Sequence, residues 1–168
     1  PRLYRGGERP SSELGCRGRA VWALVRRGVA AGSEGYDVFR SLDGGRTWRA
    51  VLANLDPLRP RLPRIAAQAG PFAVLGEGGA VFLSWCPACG WGAILLVATG
   101  DGGRSWRRST PLRGYAPVAA AFVDARHGWL LTTSRPGSAP SGLLWSTVDG
   151  GRRFRLVLRS PALGLSPP

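Results

Sequence analysis

Ser41-Leu42-Asp43-Gly44-Gly45-Arg46-Thr47-Trp48 returns as Thr99-Gly100-Asp101-Gly102-Gly103-Arg104-Ser105-Trp106, and again, altered, as Thr147-Val148-Asp149-Gly150-Gly151-Arg152-Arg153-Phe154. The three aspartates stand 58 and then 48 residues apart, so what repeats is a whole structural unit. A tight hairpin needs backbone with positive φ, which Gly-Gly supplies without steric cost. The aspartate just before the glycines can accept hydrogen bonds from the N–H groups of its own turn, and so can the Ser or Thr two residues earlier. Five residues after the aspartate an aromatic opens the next strand, where its large apolar surface can pack between sheets. In the third copy Arg153 replaces the hydroxyl residue and Phe154 the Trp, which predicts a looser turn with its aromatic anchor kept.

Short apolar runs precede each turn at 36–39, 93–98 and 143–145, and further runs follow at 48–52, 106–109 and 154–158. Upstream lie strand-like stretches at 20–25, 72–75, 80–85, 118–123 and 128–133. No stretch shows capped helical periodicity, and Gly and Pro punctuate the chain too often for long helices. The expected fold class is therefore all-β. A repeat of this length suits one four-stranded blade of a β-propeller. The reading is a single propeller segment, 1–168, with blade one at about 15–55, blade two at about 64–112, blade three at about 115–160 and a frayed tail at 161–168. Blade one lacks a convincing first strand. Three blades cannot close a ring, so missing blades or self-association are expected.

All 23 basic residues are arginine, against ten acidic residues, for a net charge of +13. Arg46, Arg104 and Arg152, with Arg49, Arg107 and Arg155, should form a basic band at the box rim, a contact for polyanions. No nucleic-acid motif accompanies the charge, and an arginine-only composition also reflects a GC-rich genome. No apolar run is long enough for a membrane-spanning helix. A chain that opens at Pro1 and holds no methionine reads as a segment of a longer protein.

The pattern S-x-D-G-G-x-T-W resembles the Asp-box, or BNR repeat, of sialidases, sortilin-type receptors and photosystem II stability/assembly factor-like proteins. Phe122-Val123-Asp124-Ala125-Arg126-His127-Gly128-Trp129 also resembles an inner-strand signature of the last group. The resemblance covers about residues 19–158. It implies a propeller whose boxes are structural and face away from the functional site. The structural set is then Ser41, Asp43, Gly45, Thr47 and Trp48; Thr99, Asp101, Gly103, Ser105 and Trp106; and Thr147, Asp149, Gly151 and Phe154. It further implies a non-catalytic binding or assembly scaffold outside the cytoplasm, with a protein or glycan ligand and no cofactor.

The alternative is a segment of a sialidase-like glycoside hydrolase whose catalytic residues lie elsewhere. Its arginine triad and Arg-Ile-Pro motif are not recognisable, and Pro63-Arg64-Ile65 has the letters in the wrong order. Outside the boxes only Asp37, Asp56, Asp124, Glu8, Glu13, Glu34 and Glu77 remain, and nothing marks a pair among them for glycoside hydrolysis. One carboxylate and one hydroxyl per box also fall short of a calcium loop, so no metal is expected. His127, the only histidine, reads as a solvated turn residue.

One cluster lies outside the repeat pattern: Trp85-Cys86-Pro87-Ala88-Cys89-Gly90-Trp91. A redox C-x-x-C would need a helix N-terminus to lower the first thiol's pKa, and a zinc site would need two more ligands. Cys16 and His127 are the remaining ligand types, and the blade reading puts them at the opposite end. A small disulfide between Cys86 and Cys89 is the preferred reading, ahead of free thiols. Trp85 and Trp91 flank that turn, where a ligand platform is conceivable and sheet packing is the simpler account.

Overall fold

The structure, a computed structural model, describes residues 12–30, 32–55, 58, 61–63, 67–86, 92–134 and 141–161. These residues form three antiparallel sheets. In the first, β1 (Ser12–Arg17), β2 (Ala20–Ala30), β3 (Ser33–Ser41) and β4 (Arg49–Asn54) lie side by side in chain order. In the second, β5 (Gln68–Val74), β6 (Ala80–Cys86) and β7 (Ala93–Thr99) are followed by β8 (Arg107–Arg108) and β9 (Leu112–Arg113). In the third, β10 (Ala116–Phe122), β11 (Gly128–Thr133), β12 (Gly142–Thr147) and β13 (Arg155–Ser160) repeat the order. Every Asp-Gly-Gly turn joins the third strand of its sheet to the fourth.

Both β8 and β9 pair with β7, so they are two pieces of one outer strand. Between them Ser109 folds inward: its N–H donates to the Leu96 carbonyl at 2.9 Å and its Oγ accepts from the Leu96 N–H at 2.9 Å. The side chain replaces a carbonyl of the ladder, and Pro111, which has no N–H to donate, follows two residues later.

The first sheet does have a first strand. β1 escapes a hydrophobicity reading because it alternates exposed and half-buried residues without an apolar run, Leu14 being 74% exposed. Its register with β2, from Ser12 opposite Val25 to Arg17 opposite Ala20, is nonetheless regular. β5 also starts earlier than its apolar core suggests, with Pro71 at a bulge between Ala69 and Phe72.

The sheets pack face to face, with β5 beside both β1 and β10, so the first strands of successive sheets are neighbours. Alternation along each strand sends one set of side chains to each face. Trp22, Leu24, Tyr36, Val38 and Leu52 of the first sheet meet Ala80, Phe82 and Val97 of the second. Val81, Leu83, Ile94 and Leu96 on the other face of the second sheet meet Leu130, Phe122 and Trp145 of the third. The middle sheet is thus apolar on both faces, as a sheet sandwiched between two others must be. The 161–168 tail falls outside the described residues after Pro161. No helix among the described residues is long and apolar enough to cross a membrane.

Candidate functional site: the Asp-Gly-Gly turns and the two rims

Asp43 is consumed by its own turn. Its Oδ1 accepts from the N–H of Arg46 at 3.0 Å, the N–H of Thr47 at 2.9 Å and the Ser41 hydroxyl at 2.7 Å, while Oδ2 accepts from the Thr47 hydroxyl at 2.6 Å. Ser41 Oγ in turn accepts from Gly45 N–H at 2.8 Å. The second turn repeats this bond for bond with Asp101, Thr99, Gly103 and Ser105. In the third, Asp149 keeps the Thr147 hydroxyl and the Arg153 N–H, both at 3.0 Å. A bond from position 153 like that of Thr47 or Ser105 cannot form, because arginine has no hydroxyl.

Donors of this kind stabilise the carboxylate over the acid. The hydroxyls of Ser41 and Thr47 hold Asp43 well below the usual carboxylate range, and the Ser105 hydroxyl and N–H do the same for Asp101. Asp149 is lowered as well, mainly by the Arg153 N–H. Such groups stay ionised at neutral pH, acting as acceptors for the turn rather than as proton donors.

Each turn is also tied to its own sheet. Both box glycines have φ between 73° and 92°, which lets the first glycine's N–H point back across the hairpin. Gly44 donates to Arg19 O at 3.0 Å, Gly102 to Gly78 O at 2.7 Å, and Gly150 to Arg126 O at 2.9 Å. All three acceptors lie in the turn joining the first two strands, so the box clasps that neighbouring turn. Asp124 braces the third of these turns, accepting from the N–H groups of Arg126 at 2.7 Å and His127 at 2.8 Å. The Arg126 N–H foremost, with the His127 ring, holds Asp124 at about 2. His127 has a partner of its own, its Nδ1 lying 2.9 Å from Asp124 Oδ2.

The box aromatics differ in fate. Trp106 packs against the cluster between the first and second sheets, its ring centroid 6.4 Å from Trp22 of the preceding sheet and 5.9 Å from Phe82 of its own. Phe154 packs against the cluster between the second and third sheets. Trp48, with no sheet ahead of it among the described residues, is 45% exposed and donates its indole N–H to Gly45 O at 2.9 Å. The six arginines of the expected band are all exposed, three in the box turns and three opening the strands that follow.

At the other rim, Trp85 is half-buried and packs against the cluster between the second and third sheets. Cys86 is disulfide-bonded; Cys16 is free and exposed near the box rim. Cys89 and Trp91 lie outside the described residues. No group of three or more His, Cys, Asp or Glu side chains capable of holding a metal occurs among the described residues.

Sequence reading missed a buried ionic cluster, because its acidic members match no motif. Glu34 Oε2 accepts from Ala69 N–H at 2.8 Å, and Oε1 lies 3.1 Å from Arg26 Nε. Arg26 also pairs with Glu13 and donates to Ala69 O at 3.1 Å. Arg27 Nε stands 3.2 Å from Asp37 Oδ2, and its Nη2 donates to Asn54 O at 3.1 Å. Burial raises the Glu34 pKa, opposed by the Ala69 N–H and the Arg26 charge. The only legible signal was the adjacent pair Arg26-Arg27 inside an otherwise apolar strand.

No protein-family model and no curated protein matches the chain. Similar solved structures do exist. One is Zg3597, a family 117 glycoside hydrolase of the marine bacterium Zobellia galactanivorans, with a TM-score of 0.54 at 10% identity over 93% of this chain and 46% of that one. Another is the Penicillium chrysogenum α-L-arabinanase complexed with arabinobiose, with a TM-score of 0.50 at 15% identity over 88% of this chain and 48% of that one. A third is YCF48 bound to D1 peptide, at 14% identity over 85% of this chain and 64% of that one, but its TM-score of 0.32 is too low to carry an argument. The chain thus spans about half the length of the two hydrolases, and identities this low speak of fold alone. Three consecutive antiparallel sheets of four or five strands packed face to face, with these likenesses, make the chain an all-β array of three β-propeller blades that does not close into a ring.

Proposed function

We propose that this chain is a non-catalytic binding or assembly scaffold built on Asp-box repeats, akin to the photosystem II stability/assembly factor-like proteins. One observation carries the reading. Each box carboxylate accepts from N–H and O–H donors of its own turn, which leaves it a fastener and not an acid or base. The boxes thereby direct attention to the opposite rim, around Trp85 and Cys86, as the place for a protein or glycan ligand. The disulfide at Cys86 favours an oxidising, extracytoplasmic setting. The exposed arginines of the box rim suit a secondary contact with polyanions.

The rival reading is a segment of a sialidase-like glycoside hydrolase whose catalytic carboxyl pair lies outside this chain. The buried acids of the first sheet, Glu34 and Asp37, each face an arginine. Incubation with fluorogenic α-sialoside and α-L-arabinofuranoside separates the two. The scaffold reading expects release no faster than with heat-denatured protein. Turnover of either substrate, by this chain or by a longer protein that contains it, would overturn it.

A further inference from the structure

The two ends of the array expose the two halves of a seam that the chain already builds twice. Trp22, Val81 and Trp129 are equivalent: each pairs with the residue three positions before a box aspartate, namely Arg40, Ala98 and Ser146. Trp22 is fully buried under the next blade, with Trp106 set edge-on against it at 83°. Val81 is buried in the cluster that receives Phe154. Trp129 is 41% exposed. Around it Leu131 and Leu144 are half-buried and Leu158 is exposed, where their counterparts Leu24, Val38 and Leu52 are fully buried.

The other half lies at the opposite end. Trp48 holds the box position of Trp106, and Leu14, paired with Ala23, holds the place of Phe72, paired with Phe82. Phe72 stacks on Phe82 at 5.0 Å, whereas Leu14 stands in solvent. The second box glycines tell the same story. A Cβ on Gly103 would strike Val51 and one on Gly151 would strike Leu96, each across a seam, whereas a Cβ on Gly45 would meet only its own Trp48.

We propose that these faces join head to tail between two copies of this chain, with Trp48 of one seated on Trp129 of the other as Trp106 is seated on Trp22. The occupant is a second copy because the two exposed faces hold, position for position, the apolar places that the chain already packs together in its two internal seams. Two three-bladed copies make a six-bladed ring, within the four to eight blades over which propellers close. Each seam is head to tail, and the two-fold axis of a two-copy ring makes the second seam identical to the first. The proposal rests on the fold and not on the scaffold reading.

Sedimentation across a concentration series tests it. The unchanged chain gives a species of twice the 17.8 kDa chain mass, and the association strengthens with salt, because each copy carries +13 and the seam is apolar. Trp129→Asp and Trp48→Asp each weaken association about 30-fold or more, as expected for a central aromatic anchor. An equimolar mixture of the two variants recovers a dimer, since one intact head still meets one intact tail. Leu158→Asp and Leu14→Asp are second variants of the same faces, and circular dichroism checks that each remains folded. A chain that is monomeric throughout, a dimer whose affinity is unchanged in either tryptophan variant, or a mixture that associates no better than either variant alone overturns the proposal.

Discussion

The seam between the first and second blades and the seam between the second and third join the same kind of sheet with different chemistry. The first is aromatic and ionic: Trp22, Phe72, Phe82 and Trp106 form a ring cluster, Glu34 and Arg26 clamp the backbone of Ala69, and Arg40 donates to Gly102 O at 2.7 Å. The second is mainly aliphatic, with Val81, Leu83, Leu96 and Leu130 at its centre and the Tyr115–Trp145 edge contact beside them. Backbone hydrogen bonds fix each blade, but a seam requires only apolar faces of matching shape. Repetition is therefore strict in the turns and loose in the seams.

The largest effect that would break this comparison is at Trp106. Trp106→Ala should cost about 4 kcal/mol by urea unfolding, as for loss of a packed core aromatic. Trp48→Ala, at the equivalent but exposed position, should cost about 1 kcal/mol at concentrations where the chain is monomeric. Equal losses would mean that the aromatic serves its own turn and not the seam.

Next comes the ionic clamp, which only the first seam possesses. Glu34→Ala leaves the Ala69 N–H and the Arg26 charge short of a partner, at about 3 kcal/mol. Glu34→Gln, which keeps an acceptor for the N–H, should cost less. A raised folded pKa also means that Glu34 favours the fold below its unfolded pKa, and that this share fades as pH rises through the folded value. In Glu34→Gln that fading should be absent from the stability–pH curve.

The turn aspartates give the opposite slope. Asp43, Asp101, Asp124 and Asp149 all have folded pKa values below the unfolded one, so their stabilisation is present above about pH 4. It is lost as pH falls through the folded values, near 2 for Asp124. Asp101→Asn should flatten this acid limb of the melting temperature more than Asp149→Asn, whose turn has fewer donors to lose. Arg153→Thr should move the third turn towards the other two.

The smallest effect is on the exposed band. If it meets polyanions, Arg104→Ser should lower the salt needed for elution from heparin without changing the melting temperature. An unchanged elution profile would remove the polyanion contact.

Much of the fold was legible because the Asp-Gly-Gly turn is a local device. Its side-chain bonds join residues at most four apart, so the sequence that encodes it can be read without knowing the rest of the chain. The strands flanking the turns followed from apolar runs such as Ala93–Thr99. β1 did not, since an edge strand with one solvated side needs no such run. The ionic cluster was invisible for a related reason: Glu34 and Ala69 are 35 residues apart, and neither belongs to a motif.

By itself the sequence determined three hairpin units, their spacing, the commitment of three aspartates to turns and the arginine excess. Each of these is written within a few residues or in the composition. The tertiary structure alone decided that Trp106 is a core residue while Trp48 is a surface one, and that Glu34 and Asp37 are buried with arginines. It also decided that, among the described residues, Leu14 and Trp48 at one end of the array and Trp129 and Leu158 at the other are exposed. Burial depends on which sheet stands next to which, and that neighbour lies a whole repeat away along the chain.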